Sequence, residues 1–161
     1  MIEKGKISQE PFIEILKTLE EAESANLVDW NAMNIASVDQ INQPSSRMVL
    51  LKKISDDGLV FYTNYNSRKG KEIELNPKVA VNFWWRELKK QIRVEGFIKK
   101  ASEEDSDDYF NSRPLKSRVS AIISNQSSKI SSYEDLTNQI DNYLDQNDES
   151  SIKRPDHCGL Y

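Results

Sequence analysis

The chain has 161 residues, of which 30% are charged, and that length suits one domain with its own core. A mean hydropathy of −0.69 and the absence of any apolar run near the roughly 20 residues of a membrane span make a cytoplasmic protein the expectation. The net charge of −4 argues against non-specific nucleic-acid binding, and a single Cys (Cys158) with a single His (His157) excludes an intrachain disulfide and disfavours a zinc site or a His-based triad. Any chemistry done here calls for a cofactor.

In chain order, Pro11 to Ala25 reads as a helix, with Phe12, Ile15, Leu16 and Leu19 at helical spacing. Ala32 to Val38 reads as a strand, and Gln40 to Ser46 as a polar loop. Arg47 to Ile54 and Leu59 to Thr63 read as paired strands across the turn Ser55-Asp56-Asp57-Gly58, where Gly58 is free to take positive φ. Lys69 to Leu75 is a short helix, capped by Asn66 or Ser67 and stopped by Asn76-Pro77. Val79 to Trp85 and Gln91 to Lys100 form a second hairpin. Ser102 opens a helix that carries Tyr109 and Phe110 and ends near Arg113-Pro114. Lys116 to Ile123 is a further short helix, and Ser132 starts another with Leu136, Ile140, Tyr143 and Leu144 on one face. The expectation is a single α+β domain over 1–161, with an antiparallel sheet or barrel, flanking helices, and loose ends at 1–10 and 145–161. No Gly-rich nucleotide fingerprint is present.

Basic residues cluster at Arg68, Lys69 and Lys71 and again at Arg113, Lys116 and Arg118, which in an acidic chain points to small anionic ligands. Ser67-Arg68-Lys69 sets two cations and a hydroxyl at a helix start, where free N–H groups and the helix dipole favour an anion. Arg47 and Lys52 have opposite parity, so a regular strand directs them to opposite faces. Tyr109, Arg113 and Ser117 are each four apart and would share one face of an unbroken helix, although Pro114 interrupts it. Gln91, Gln126 and Ser127 are neutral polar groups able to meet the polar edge of a flat ring. Trp84 and Trp85 place one ring on each side of a strand. Taken singly, each polar set also reads as ordinary solvated surface, and on spacing alone that reading is favoured.

The ordered words Ser45-Ser46-Arg47-Met48-Val49-Leu50-Leu51-Lys52, Phe61-Tyr62-Thr63-Asn64, Ser67-Arg68-Lys69-Gly70, Gln91-Ile92-Arg93-Val94-Glu95-Gly96, Tyr109-Phe110, Ser112-Arg113-Pro114 and Asn125-Gln126-Ser127 resemble the FMN-dependent pyridoxine/pyridoxamine 5'-phosphate oxidases. The resemblance runs from Pro11 to Tyr161. It implies a homodimer of antiparallel split β-barrels with FMN in clefts at the subunit interface. By motif match, Arg47, Met48, Val49, Leu50, Tyr62, Thr63, Ser67, Arg68, Lys69 and Gln91 would hold FMN, with Gln126 and Ser127 reaching it from the partner. Lys52, Tyr109, Arg113 and Ser117 would hold the phosphate of the vitamin B6 substrate. The implied reaction passes a hydride equivalent from the substrate C4' to flavin N5, with oxygen as final acceptor and pyridoxal 5'-phosphate as product.

Family members continue past the position of Tyr161 with an aromatic strand and an Arg-Leu-His-Asp-Arg segment that serves the substrate. They usually carry Trp where this chain has Cys158 and Gly where it has Leu160. Retained flavin binding with weakened substrate oxidation is therefore expected. Two other readings stay open: a flavin reductase of the same fold using another reductant such as a nicotinamide, and a non-catalytic protein that holds FMN or pyridoxal phosphate.

Overall fold

The computed structural model describes residues 2–124 and 132–161. In chain order the elements are β1 (Glu3–Lys4), α1 (Glu10–Ser24), β2 (Ala32–Val38), β3 (Pro44–Ser55), β4 (Gly58–Asn64), α2 (Arg68–Leu75), β5 (Lys78–Trp85) and β6 (Lys90–Phe97). Then follow α3 (Glu103–Ser112), α4 (Leu115–Ile123), α5 (Tyr133–Gln146), a 3-10 turn at Glu149–Ser151 and β7 (Cys158–Leu160). An antiparallel sheet with α-helices makes the class α+β, as the sequence suggested. The chain divides into two compact units, the first of residues up to Tyr62, Lys71–Lys99 and Tyr161, the second of Thr63–Gly70 and Lys100–Leu160.

In the first unit the strand order is β6-β5-β2-β3-β4, each pair antiparallel, with β1 parallel to β3. Period-two burial explains the strands: Met33, Ile35 and Ser37 of β2 point inward and their neighbours do not. Ile35, Leu51, Ile54, Phe61 and Phe83 are wholly buried, and the rings of Phe83 and Trp85 stack at 5.3 Å between centroids. Each such side chain stabilises the fold by about 1.5–3 kcal/mol. Helix α1 adds Ile15, Leu19 and Ala22 along one stripe and carries Pro11 in its first turn, where a missing N–H costs no helical bond.

Two expectations about β3 change. The strand begins at Pro44, paired with Val38, so the last three of the seven expected loop residues are strand; Pro is tolerated as its first residue. The register with β4 also shifts between Leu51 and Lys53. This bulge puts Leu51 and Ile54, three apart, both in the core. Lys52 lies in the bulge, so its parity relative to Arg47 fixes nothing about which face it meets.

The ends are not loose. Ile2 is buried, β1 pairs with β3, and the Gly5 N–H donates to the Ile54 carbonyl at 2.9 Å. Tyr161 exchanges two 3.0 Å backbone hydrogen bonds with Phe61, and their rings lie 5.9 Å apart.

In the second unit α3 and α5 start at Ser102 and Ser132, whose hydroxyls each accept from the N–H three residues on, at 3.0 Å. The polar composition of 145–154 hid an anchored segment. Ile152, Cys158 and Leu160 are buried, and the Leu160 N–H donates to the Ser106 hydroxyl at 3.1 Å. Arg154 donates to Asp107 (2.7 Å), to Glu103 and to the Cys158 carbonyl (2.5 Å). Among the described residues, no helix is long and apolar enough to cross a membrane.

Candidate functional site

The turn from β4 into α2 is built around Ser67. Its N–H and its hydroxyl both donate to the Asn64 carbonyl, at 3.2 and 2.7 Å, and its Oγ accepts from the Gly70 N–H and from Lys69 Nζ, each at 3.3 Å. The Asn64 side chain closes the same turn by accepting from the Asn66 N–H at 2.7 Å. Ser67, Thr63 and Asn64 are buried, Lys69 is half-buried and Arg68 is exposed. The cap expected at Asn66 or Ser67 is thus Ser67. Two cations beside the N–H groups of an eight-residue helix form a donor set suited to a phosphate monoester. The terminal phosphate of FMN fits that chemistry.

In the first unit, β3 shares its predicted residues between two faces. Met48 faces Asn34, which faces Asn82, which faces Arg93, so these four share one side of the sheet. Leu50 lies on that side opposite Ala32, and Gln91 opposite Trp84. Gln91 donates to the Asn82 side chain at 2.7 Å. Met48 (60%), Leu50 (42%) and Trp84 (59%) are exposed there, whereas Trp85 is buried and donates its indole N–H to the Trp30 carbonyl at 2.7 Å. The two Trp rings therefore do fall on opposite sides of β5.

Arg47 and Val49 face the other way. Arg47 donates Nη1 to the Ser37 hydroxyl and Nη2 to the Ser45 hydroxyl, and pairs with the buried Glu72 carboxylate at 3.0 Å. Ser37 and Ser45 are cross-strand partners and both also donate to Glu72, at 2.5 and 2.6 Å. Sequence reading found Arg47 but not Ser37, Ser45 or Glu72. The only signal was Arg47 and Ser45 two apart on one strand face, with an acid at the fifth position of a helix.

The last predicted set sits where α3 gives way to α4. Arg113 has extended backbone (φ −76°, ψ 150°) and Pro114 precedes α4, so Tyr109, Arg113 and Ser117 do not lie on one continuous helix. All three are half-buried. Of the basic cluster there, Lys116 is paired with Asp141 at 2.9 Å, and Arg118 is buried and paired with Glu149 at 3.1 Å. Those two are structural ties, not free anion ligands. Gln126 and Ser127 lie outside the described residues.

Residues 19–142 match the family described as pyridoxamine 5'-phosphate oxidase. The pyridoxine/pyridoxamine 5'-phosphate oxidase of Nostoc sp. (strain PCC 7120) is 46% identical over 154 residues, 96% of this chain and 72% of that protein. The pyridoxine/pyridoxamine 5'-phosphate oxidase 2 of Hydrogenovibrio crunogenus is 41% identical over 99% of this chain and 75% of its own length. Among solved structures, PhzG from Burkholderia lata 383, in complex with tetrahydrophenazine-1-carboxylic acid, superposes with a TM-score of 0.87 at 25% identity, over 96% of this chain and 75% of that one. A pyridoxamine 5'-phosphate oxidase-related, FMN binding protein from Nostoc punctiforme has the same fold, with a TM-score of 0.73 at 18% identity over 96% and 80%. On the extent of the family match and the identity to its curated members, the chain belongs to the pyridoxamine 5'-phosphate oxidase family.

Proposed function

We propose that this chain binds FMN and oxidises pyridoxine 5'-phosphate or pyridoxamine 5'-phosphate to pyridoxal 5'-phosphate, with oxygen as acceptor, as a cytoplasmic homodimer of split barrels. The observation that carries this reading is the Ser67-Arg68-Lys69 donor set at the start of α2, in a chain 46% identical to a relative of that name.

Arg68 and Lys69 neutralise the FMN phosphate beside the helical N–H groups, with Ser67 holding the turn and Arg47 adding a fork of donors. Met48, Val49, Leu50, Tyr62 and Thr63 also hold FMN, and Gln91, with Gln126 and Ser127 from the second copy, supplies hydrogen bonds to the polar edge of its ring. Lys52, Tyr109, Arg113 and Ser117 hold the substrate phosphate. Bound FMN supplies the hydride-accepting ring, which no side chain can provide. The protein's contribution is to orient the substrate and compensate its charge. The exposed apolar face of Met48, Leu50 and Trp84 supports a second copy as its cover.

The test is anaerobic. Protein loaded with FMN and freed of excess receives pyridoxine or pyridoxamine phosphate while the yellow absorbance is followed. Bleaching is expected. Retained colour with both substrates, but bleaching by NADPH, would replace this reading with a flavin reductase. Tight binding with no bleaching by either would leave a flavin-binding protein.

A further inference from the structure

Of the two acids of α2, Glu74 is exposed and Glu72 is only 3% exposed. A carboxylate so buried is costly unless it is paired and hydrogen-bonded. Its Oε2 accepts from the Ser37 hydroxyl, the Ser45 hydroxyl and Arg47 Nη2, at 2.5, 2.6 and 3.0 Å. Each hydroxyl in turn accepts from Arg47, Ser37 from Nη1 and Ser45 from Nη2. Two cross-strand serines thus bridge one carboxylate and one guanidinium into a closed clamp. The clamp uses three of the five Arg47 donors. The Nε–H and the second Nη1 hydrogen have no partner among the described residues.

We infer that Glu72 is a positioning residue for the cofactor phosphate, acting through Arg47. The inference rests on the FMN reading above. A free arginine side chain has many rotamers and must lose them when it grips a phosphate. Here Arg47 is fixed by three hydrogen bonds before any ligand arrives, and two of its donors remain uncommitted. The carboxylate has an opposing effect, since its charge repels a phosphate dianion. The two effects separate by substitution. Glu72→Ala removes the anchor together with the charge. Glu72→Gln removes the charge and keeps an acceptor for Arg47 and the serines.

The experiment is a fluorescence titration of wild-type and variant apoprotein with FMN and with riboflavin, which carries the same ring and no phosphate. Wild-type protein that takes up no FMN overturns the function proposed above, and this inference with it. Where wild type binds, Glu72→Ala is expected to weaken FMN about tenfold, equivalent to about 1.4 kcal/mol, and to leave riboflavin within about twofold. Glu72→Gln is expected to bind FMN within about twofold of wild type or more tightly. In the Arg47→Ala background, Glu72→Ala is expected to add no further loss, because the residue through which it acts is gone. A merely structural role predicts otherwise: equal loss for FMN and riboflavin, or full additivity with Arg47→Ala. Either result, or unchanged FMN affinity in Glu72→Ala, overturns the inference. If Glu72→Ala does not fold, the Ser37→Ala/Ser45→Ala variant cuts the same clamp and leaves the ion pair. It is expected to lose about threefold in FMN affinity with riboflavin unchanged, and equal loss for both ligands overturns the inference.

Discussion

Gly70 lies against the backbone of Tyr65 so closely that a Cβ on it would stand 2.0 Å from the Tyr65 carbonyl oxygen. The hydrogen bonds around Ser67 hold the intervening turn, so the carbonyl has little room to yield. Gly to Ala inside a helix normally stabilises by about 1 kcal/mol. The sign is expected to reverse here. Gly70→Ala should cost about 2–3 kcal/mol from the backbone clash, read as a lower denaturation midpoint, and should weaken FMN binding because Arg68 and Lys69 start the same helix. A neutral or stabilised variant would show that the turn is not fixed.

Asp56, in the turn between β3 and β4, caps the approach to α1. Its carboxylate accepts from the Ser8 hydroxyl and from the N–H groups of Ser8 and Gln9, at 2.5, 2.9 and 3.0 Å. The Ser8 hydroxyl first, then these amides, hold the carboxyl below its ordinary value of 3.8. A depressed folded-state pKa means the stabilisation is present above 3.8 and is lost as the pH falls through the lower folded value. Asp56→Asn should therefore melt below wild type at neutral pH, with the gap closing in acid. A gap independent of pH would assign the effect to geometry rather than charge.

The legible parts of the fold were local. The Ser102 and Ser132 caps, the alternation of β2 and the positive φ of Gly58 each follow from a few neighbouring residues. What the sequence could not supply depends on register. The bulge at Lys52 is set by how β3 meets β4, and Glu72 looks like any solvated helical acid until Ser37 and Ser45 are brought face to face. The end of the chain was misread for a related reason. Its polar residues outnumber the buried ones, yet Ile152, Cys158 and Leu160 anchor it.

Arg154 should control access to the only thiol. Its side chain is 6% exposed, whereas its partners Glu103 and Asp107 are 82% and 54% exposed and can return to water at little cost. The loss in Arg154→Met therefore falls mainly on the buried Cys158 carbonyl, which gives up a charge-assisted hydrogen bond. That is worth about 1.5–3 kcal/mol. The buried Cys158 is expected to react with a thiol reagent at least about tenfold faster in the variant, as local opening becomes cheaper by that amount. An unchanged rate would mean that Ile152 and Leu160 hold the segment without the arginine.

The exposed sheet face gives the last prediction. Trp84 is 59% exposed, and its neighbours on that face, Met48 and Leu50, are 60% and 42% exposed. If a second copy covers this face, Trp84 has the character of an interface anchor, and such residues cost about 2 kcal/mol or more when lost. Trp84→Glu also buries a charge on both sides of a two-fold interface. The expected result is a halving of the sedimenting mass at micromolar concentration, with the monomer still folded because Trp84 contributes little to the core. Retention of dimer mass would exclude this face as the contact. Monomeric wild-type protein would go further, since Met48, Leu50 and Gln91 would then stand open to water, and flavin uptake would have to rely on the phosphate donors alone.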